Sequence, residues 1–267
     1  MLGETIEQTW HKRPLVHCIT NYVSANDCAN LLLGCGASAI MADEPAEVAE
    51  VTAMCDGLVL NMGTPNPRKL EALLIAGKKA NRLGHPVVLD PVGVGSSTMR
   101  QTAARQLLDE VRFAAIRGNA TEIATLIRGT AAQRGVDADE QNDAMETNAS
   151  QLACKTGAVV IVTGDTDIVT DGRTIYRVHN GHPMMRTVTG AGCQLSALVG
   201  AYITANSDKP LRAALAAVCA MGLCGEIAHH RLTPMDGNAS YRNYMLDAIC
   251  NLTPEALEEG ANYETDC

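Results

Sequence analysis

A chain of 267 residues, 46% hydrophobic and 19% charged, can bury a sizeable core as one large α/β domain or two small ones, with the composition of an ordinary soluble globular protein. Its formal net charge of −9 argues against nucleic acid or an anionic membrane as partner, because both attract a positive surface. Aromatic residues make up only 3%, with Trp10 and Phe113 the single Trp and Phe, so a ligand ring must be held mostly by aliphatic side chains and Met.

The chain opens Met1-Leu-Gly-Glu-Thr-Ile-Glu-Gln, with no basic region ahead of an apolar core, so no signal peptide is expected. No apolar run reads as long enough to span a bilayer, and a cytoplasmic location with reduced thiols follows as an expectation. The ten cysteines, Cys18, Cys28, Cys35, Cys55, Cys154, Cys193, Cys219, Cys224, Cys250 and Cys267, contain no Cys-x-x-Cys pair. Most sit among apolar neighbours and read as small buried hydrophobes. In that compartment the Asn-x-Ser/Thr triplets at Asn119, Asn148, Asn238 and Asn251 are chance matches to a glycosylation signal.

Further along, short apolar runs alternate with helical periods. Gly34-Cys-Gly-Ala-Ser-Ala39 matches the dinucleotide fingerprint formally, but it follows a helical pattern and precedes a strand, the reverse of what a Rossmann site requires. Strands are predicted over residues 39–41, 57–61, 86–90, 113–116 and 158–163, and crossover helices over 67–81 and 98–111. A hairpin is predicted over 168–172 and 174–178, with Asp171-Gly172 as its turn. His17, His179 and His182 lack metal-ligand spacing and read as polar lining or core histidines, while His229-His230 on a late helix should face solvent. The acidic segment 255–266 reads as a solvated helix and tail. With no Pro, Ser or Gly stretch to divide it and no internal repeat, the chain is expected to form one domain over 1–267. The alternation implies an α/β fold, a mainly parallel central sheet covered by helices on both faces, with ligands outside the carboxyl ends of the strands.

The most informative segment is Thr187-Val-Thr-Gly-Ala-Gly-Cys193, which runs straight into the apolar stretch Leu195 to Tyr202. Gly190, Ala191 and Gly192 stand where a helix is about to start, so backbone N–H groups can meet an anion without side chains in the way. No Gly-Lys-Ser/Thr follows, so this is not a Walker A loop. A tight turn ahead of a packed helix is the alternative. Asn61, Asp90 and Arg117-Gly-Asn119 end or follow three of the predicted strands, in register with such a seat. Asp90 alone could be a helix cap or a satisfied polar group at the sheet edge. Asn119 and Glu122, three residues apart at a helix start, could hold a hydrated magnesium ion beside a phosphate or could form a capping box.

The stretches Val16-His-Cys-Ile-Thr-Asn21, Ala29-Asn-Leu-Leu-Leu33, Gly36-Ala-Ser-Ala-Ile-Met41, Leu60-Asn-Met-Gly-Thr64, Val88-Leu-Asp-Pro-Val-Gly93, Ala115-Ile-Arg-Gly-Asn-Ala-Thr-Glu-Ile123, Val162-Thr-Gly164, Asn180-Gly-His182 and Val188-Thr-Gly-Ala-Gly-Cys193 occur in this order. In them the chain resembles the hydroxyethylthiazole kinases, thiamin-salvage enzymes with the ribokinase-like fold, from about residue 14 to about residue 220. The resemblance implies ATP-dependent phosphorylation of the primary alcohol of 4-methyl-5-(2-hydroxyethyl)thiazole. It implies that Met41 and Gly190 contact the thiazole, that Asn21, Met62 and Gly63 help line its pocket, and that Arg117 and Thr163 contact ATP. It further implies that Asp90, Asn119 and Glu122 organise magnesium and its waters. A homotrimer with active sites between neighbouring subunits is implied as well.

Most ribokinase-like sugar kinases carry Asp at the end of the Gly-Ala-Gly turn, where it takes the proton from the attacking hydroxyl; here the residue is Cys193, as in the thiazole kinases. A thiol with an ordinary pKa of about 8.5 is a weak base at neutral pH unless the helix N-terminus lowers it, yet phosphoryl transfer through a loose transition state tolerates one. A residue that only packs is the alternative for Cys193. The competing functions are another ribokinase-like small-alcohol kinase, of the hydroxymethylpyrimidine type, and a catalytically silent trimer that binds thiazole or nucleotide.

Overall fold

The computed structural model describes residues 1–129 and 138–266. The described chain runs α1 (Gly3–Lys12), β1 (Leu15–Ile19), α2 (Ala25–Gly34), β2 (Ser38–Ile40), α3 (Val48–Met54), β3 (Gly57–Asn61), α4 (Pro67–Leu83), β4 (Val87–Asp90), α5 (Thr98–Glu110), β5 (Ala115–Asn119) and α6 (Ala120–Arg128). It continues through α7 (Ala138–Thr156), β6 (Val159–Thr163), β7 (Asp167–Thr170), β8 (Ile175–Val178), α8 (Ala191–Ala205), α9 (Pro210–His230), α10 (Asn238–Asn251), α11 (Pro254–Gly260) and β9 (Tyr263–Asp266).

These strands join one sheet in the order β2-β1-β3-β4-β5-β6-β7-β8-β9. Pairing is parallel from β2 to β6 and antiparallel from β6 to β9. The period-2 alternation of a strand explains the layers. Val16, Cys18, Val59, Val88, Ala115 and Ile161 point to one face, under α8, α9, α1 and α2. Ile19, Leu58, Leu60, Leu89, Ile116 and Val160 point to the other, under α4 to α7. Both faces being covered, the central strands read as continuous apolar runs.

Helix α8 lies directly on the sheet: a Cβ on Gly200 would stand 2.3 Å from Val59 Cγ2, so only glycine permits this approach. Almost all its residues from Gln194 to Ala205 are buried, as expected of a helix that is apolar all round. Helix α9 corrects one expectation, for its 21 residues are long and apolar enough, by length and composition, to cross a membrane. Of its apolar window 72% is buried inside this fold, where it packs against α8 and α10.

The predicted strands and crossover helices are present, with ends shifted by a residue or two except at β5, which continues to Asn119. The hairpin turn is at Asp171-Gly172, where Arg173 and Thr174 donate backbone N–H bonds to Asp171 Oδ1 and Gly172 takes φ +88°. Gly34 to Ala39 does lie between a helix and a strand. Two strands were not predicted. β1 is flanked by Pro14 and Thr20 and carries a buried His17 in its middle, which hides its apolar pattern. β9 corrects the expected tail: its exposed residues pair with β8, and the charged, polar sequence suits an edge strand. Cys18, Cys28, Cys35, Cys55, Cys219 and Cys224 are buried and Cys193 half-buried; Cys154 and Cys250 are exposed, and Cys267 lies outside the described residues.

Candidate active site

Parallel pairing brings strand carboxyl ends to one side of the sheet, and the register opposes Asn61 to Asp90 and Asn119 to Thr163. The N-terminus of α8 descends onto that rim. Gly190 is its N-cap at φ +79°, a left-handed conformation suited to glycine, and a Cβ there would stand 2.6 Å from Ser24 Cβ. The helical ladder begins with Gln194 N–H donating to Gly190 O at 2.9 Å, so the N–H groups of Gly192 and Cys193 precede it. The glycine-initiated helix start expected from the sequence is therefore present.

Beside it, Asn21 and Asn61 each donate a side-chain N–H to Cys193 Sγ, at 3.2 and 3.3 Å. Asn21 also donates to Asn61 Oδ1 at 3.1 Å, and Gly63 N–H donates to the same oxygen at 2.8 Å. Asp90 closes the network, its Oδ2 accepting from Asn61 Nδ2 at 2.7 Å and Ser196 Oγ at 2.9 Å. The other oxygen, Oδ1, is buried without a hydrogen-bond partner and lies 3.9 Å from Arg117 Nη1. Burial pushes the Asp90 carboxyl up to about 6, although Arg117 pulls it down. Cys193 is also raised, by burial first and by Asp90 next, with the amide donors opposing. This corrects the idea that the helix N-terminus makes the thiol acidic: desolvation wins.

Arg117 is 12% exposed at its side chain and donates to Thr163 Oγ1 at 2.7 Å, which places the two expected ATP contacts together. Both line a cleft of about 450 Å3 that also takes in Gly190, Ala191 and Gly192. Its far wall is made by Asp167, whose carboxyl burial raises to about 6, and by His182. His182 stacks on His229 with ring centroids 3.6 Å apart. His229 is half-buried against that ring, while His230 is exposed as expected. His17 is a core histidine, 3.0 Å from Thr52 Oγ1 and 2.8 Å from Ala42 O.

At the start of α6 the capping box is formed: Glu122 N–H donates to Asn119 Oδ1 and Asn119 N–H to Glu122 Oε2, both at 2.9 Å. Glu122 Oε1 accepts a further bond from Gly93 N–H at 2.7 Å. Among the described residues no three His, Cys, Asp or Glu side chains form a direct metal-binding group. The Met62 side chain is fully buried in the core on the α4 side, and its backbone O accepts from Arg100 Nη1 at 2.9 Å. Met41 follows the edge strand β2 and packs, partly buried, against the core beneath α8. Sequence reasoning missed Ser196 and Asp167. Ser196 had a signal, a small polar residue in an apolar helix one turn beyond Gly192.

A mostly parallel sheet with a glycine-initiated helix at its carboxyl rim, an arginine-lined cleft and a buried acid behind it fits a small-molecule kinase of the ribokinase-like class. The fold is shared with a pyridoxal kinase from Staphylococcus aureus solved with pyridoxal, at TM-score 0.63 and 15% identity over 94% of this chain and 97% of that one. The chain belongs to the hydroxyethylthiazole kinase family, whose profile matches residues 6–255. It is 50% identical to the hydroxyethylthiazole kinase of Clostridium acetobutylicum over 99% of this chain and all of that one. It is 43% identical to the enzyme of Desulfovibrio desulfuricans over 98% and 97%. The solved hydroxyethylthiazole kinase of Pyrococcus horikoshii superposes at TM-score 0.90 with 30% identity, covering 100% of this chain and 99% of that structure.

Proposed function

We propose that this protein transfers the γ-phosphoryl group of ATP to the primary alcohol of 4-methyl-5-(2-hydroxyethyl)thiazole, the salvage step that supplies thiazole phosphate for thiamin. The observation that carries the reading is the thiol of Cys193, held by two amide donors in the first turn of α8 and next in the chain to Gly190, Ala191 and Gly192, which line the Arg117 cleft, in a chain of this family.

In this reading ATP lies in the cleft with its phosphates on Arg117, Thr163 and the N–H groups of Gly192 and Cys193. The acceptor alcohol lies on the Asn21, Gly63 and Gly190 side, with Met41 against the thiazole ring. Phosphoryl transfer through a loose transition state asks chiefly for aligned donors, which the helix N-terminus and Arg117 supply. Cys193, raised by burial, is protonated at neutral pH; its sulfur accepts the alcohol's hydrogen bond and orients it, and as the new O–P bond forms and the bond to ADP breaks the alcohol proton passes late to an oxygen of the transferred phosphoryl group and from there to water. Asp90, with one buried oxygen unpartnered, and Glu122 with Asn119 at the α6 cap fit a hydrated magnesium ion better than a bare one. When bound, that ion neutralises charge on the phosphates. We place this chemistry in one domain over 1–267, in a cytoplasmic homotrimer whose neighbours contribute Met41 and nearby residues to each other's sites.

Coupled ADP release with thiazole alcohol, with hydroxymethylpyrimidine, and without acceptor tests the reading. Turnover dependent on the thiazole alcohol is expected. Preference for the pyrimidine alcohol, or binding without turnover, would overturn it.

A further inference from the structure

Lys69 is buried, with a relative exposure of 4%, in the first turn of α4. A long cation is seldom buried unless its ammonium is satisfied. Here Nζ donates to Thr20 O at 2.8 Å and to Gly63 O at 2.7 Å. Asn66, the N-cap of α4, accepts the Lys69 backbone N–H at 2.9 Å and fixes where the stem begins.

The two carbonyls belong to different loops. Thr20 immediately precedes Asn21 in the turn after β1, and Gly63 lies two residues beyond Asn61 in the turn after β3. Parallel strands share no hairpin, so these turns are connected only through the sheet and through what bridges them. Asn21 and Asn61 are the residues that donate to the Cys193 thiol. The titratable and charged groups facing the ammonium are Asp43 from the loop after β2, the neutral thiols of Cys193 of α8 and Cys18 of β1, and Arg100 of α5. Asp43 follows Met41 by two residues.

We propose that Lys69 is a positioning residue for the acceptor alcohol: its ammonium ties the turns after β1 and β3 together and so sets the spacing of the two amides that orient Cys193. The inference rests on the acceptor lying beside Cys193, as proposed above. It gives the ammonium no contact with ATP, because neither of its carbonyl partners lines the nucleotide cleft.

Two substitutions separate this role from simple packing. Lys69→Met removes the tie and keeps the apolar stem; the acceptor KM should rise by about tenfold or more while the ATP KM stays within about twofold, since two charge-assisted bonds are lost on the acceptor side alone. Burial lowers the ammonium pKa to about 8. The charge is therefore present below pH 8 and lost above it, so in the unsubstituted protein the acceptor KM should climb between about pH 8 and 9. Lys69→Arg reaches the same carbonyls with a group that stays charged to beyond about pH 12, so its acceptor KM should show no such climb. An acceptor KM unchanged in Lys69→Met, a parallel rise in both KM values, or an alkaline climb that survives in Lys69→Arg would overturn the inference. Should Lys69→Met not fold, the Lys69→Arg profile decides alone. An unsubstituted protein that turns over no thiazole alcohol would end the acceptor reading and this inference with it, whereas unchanged kinetics in the variants of an active protein would end this inference only.

Discussion

Replacing Gly192 by Ala adds one methyl group, and the structure specifies what it meets. The new Cβ would stand 2.3 Å from Arg117 Nη1, 2.7 Å from Nη2 and 2.8 Å from Cζ, so the guanidinium must retreat by about 1 Å to reach ordinary contact. That movement breaks its 2.7 Å bond to Thr163, and a side chain only 12% exposed has little room to find another pose. Losing one preorganised donor aimed at a transferring group costs about 3–4 kcal/mol, so kcat should fall by about 10²- to 10³-fold. The ATP KM should move by much less, because the donor matters most where charge develops. Ala in a helical turn is itself favourable over Gly by about 0.5–1 kcal/mol, so the melting temperature should hold or rise while activity collapses. Steady-state kinetics at saturating acceptor, beside thermal melts of the same preparations, check both halves. In an Arg117→Ala background the Gly192→Ala change should add almost nothing, since the two act through one contact. A kcat within about threefold of the parent, or a melting temperature that falls with activity, would refute the argument.

Cys193→Asp should keep or raise turnover, because its carboxylate accepts the Asn21 and Asn61 bonds and is a stronger base, and Cys193→Ala should lower kcat by up to about 10²-fold and raise the acceptor KM by about tenfold, as Lys69→Met does, because the alcohol loses the thiol that orients it; an active Ala variant beside a dead Asp variant would mean that the thiol only packs. Met41→Arg and Gly190→Val, each inactive alone, should regain partial activity when mixed and reassembled, as measured on verified hetero-oligomers, if neighbouring subunits complete one site. Asp90→Asn should abolish turnover yet stabilise the metal-free protein. Burial raises this acid from 3.8 to about 6, so the folded state binds the extra proton, and ionising Asp90 opposes folding by up to about 3 kcal/mol above pH 6. The melting-temperature advantage should be full at pH 7 and vanish as pH falls from 6 toward 4; an advantage unchanged over that range would exclude this origin.

Much of the fold was legible because its signals are local. The runs at 57–61 and 86–90 are buried on both faces and so carry an uninterrupted apolar pattern, and Asp171-Gly172 specifies its turn by conformation alone. The glycine-initiated start of α8, with Gly190 and Gly192, was readable for the same reason, as was Arg117 at a strand end on that rim, whereas Thr163 was expected there only from the family resemblance. β9 was not legible, since its charged residues gain strand structure only by pairing with the distant β8, from Ile175 opposite Asp266 to Val178 opposite Tyr263. Nor was the fate of Met62, whose facing depends on strand register, or of His229, whose partner His182 is distant in sequence. The ionisation of Cys193 shows the division most sharply. Sequence placed a thiol at a helix N-terminus, where the dipole favours the anion, but only the packed structure sets the burial and the neighbouring Asp90 that push its pKa the other way. Desolvation is a property of everything that surrounds a group, whereas a helix start, a turn or a strand is written in a handful of consecutive residues.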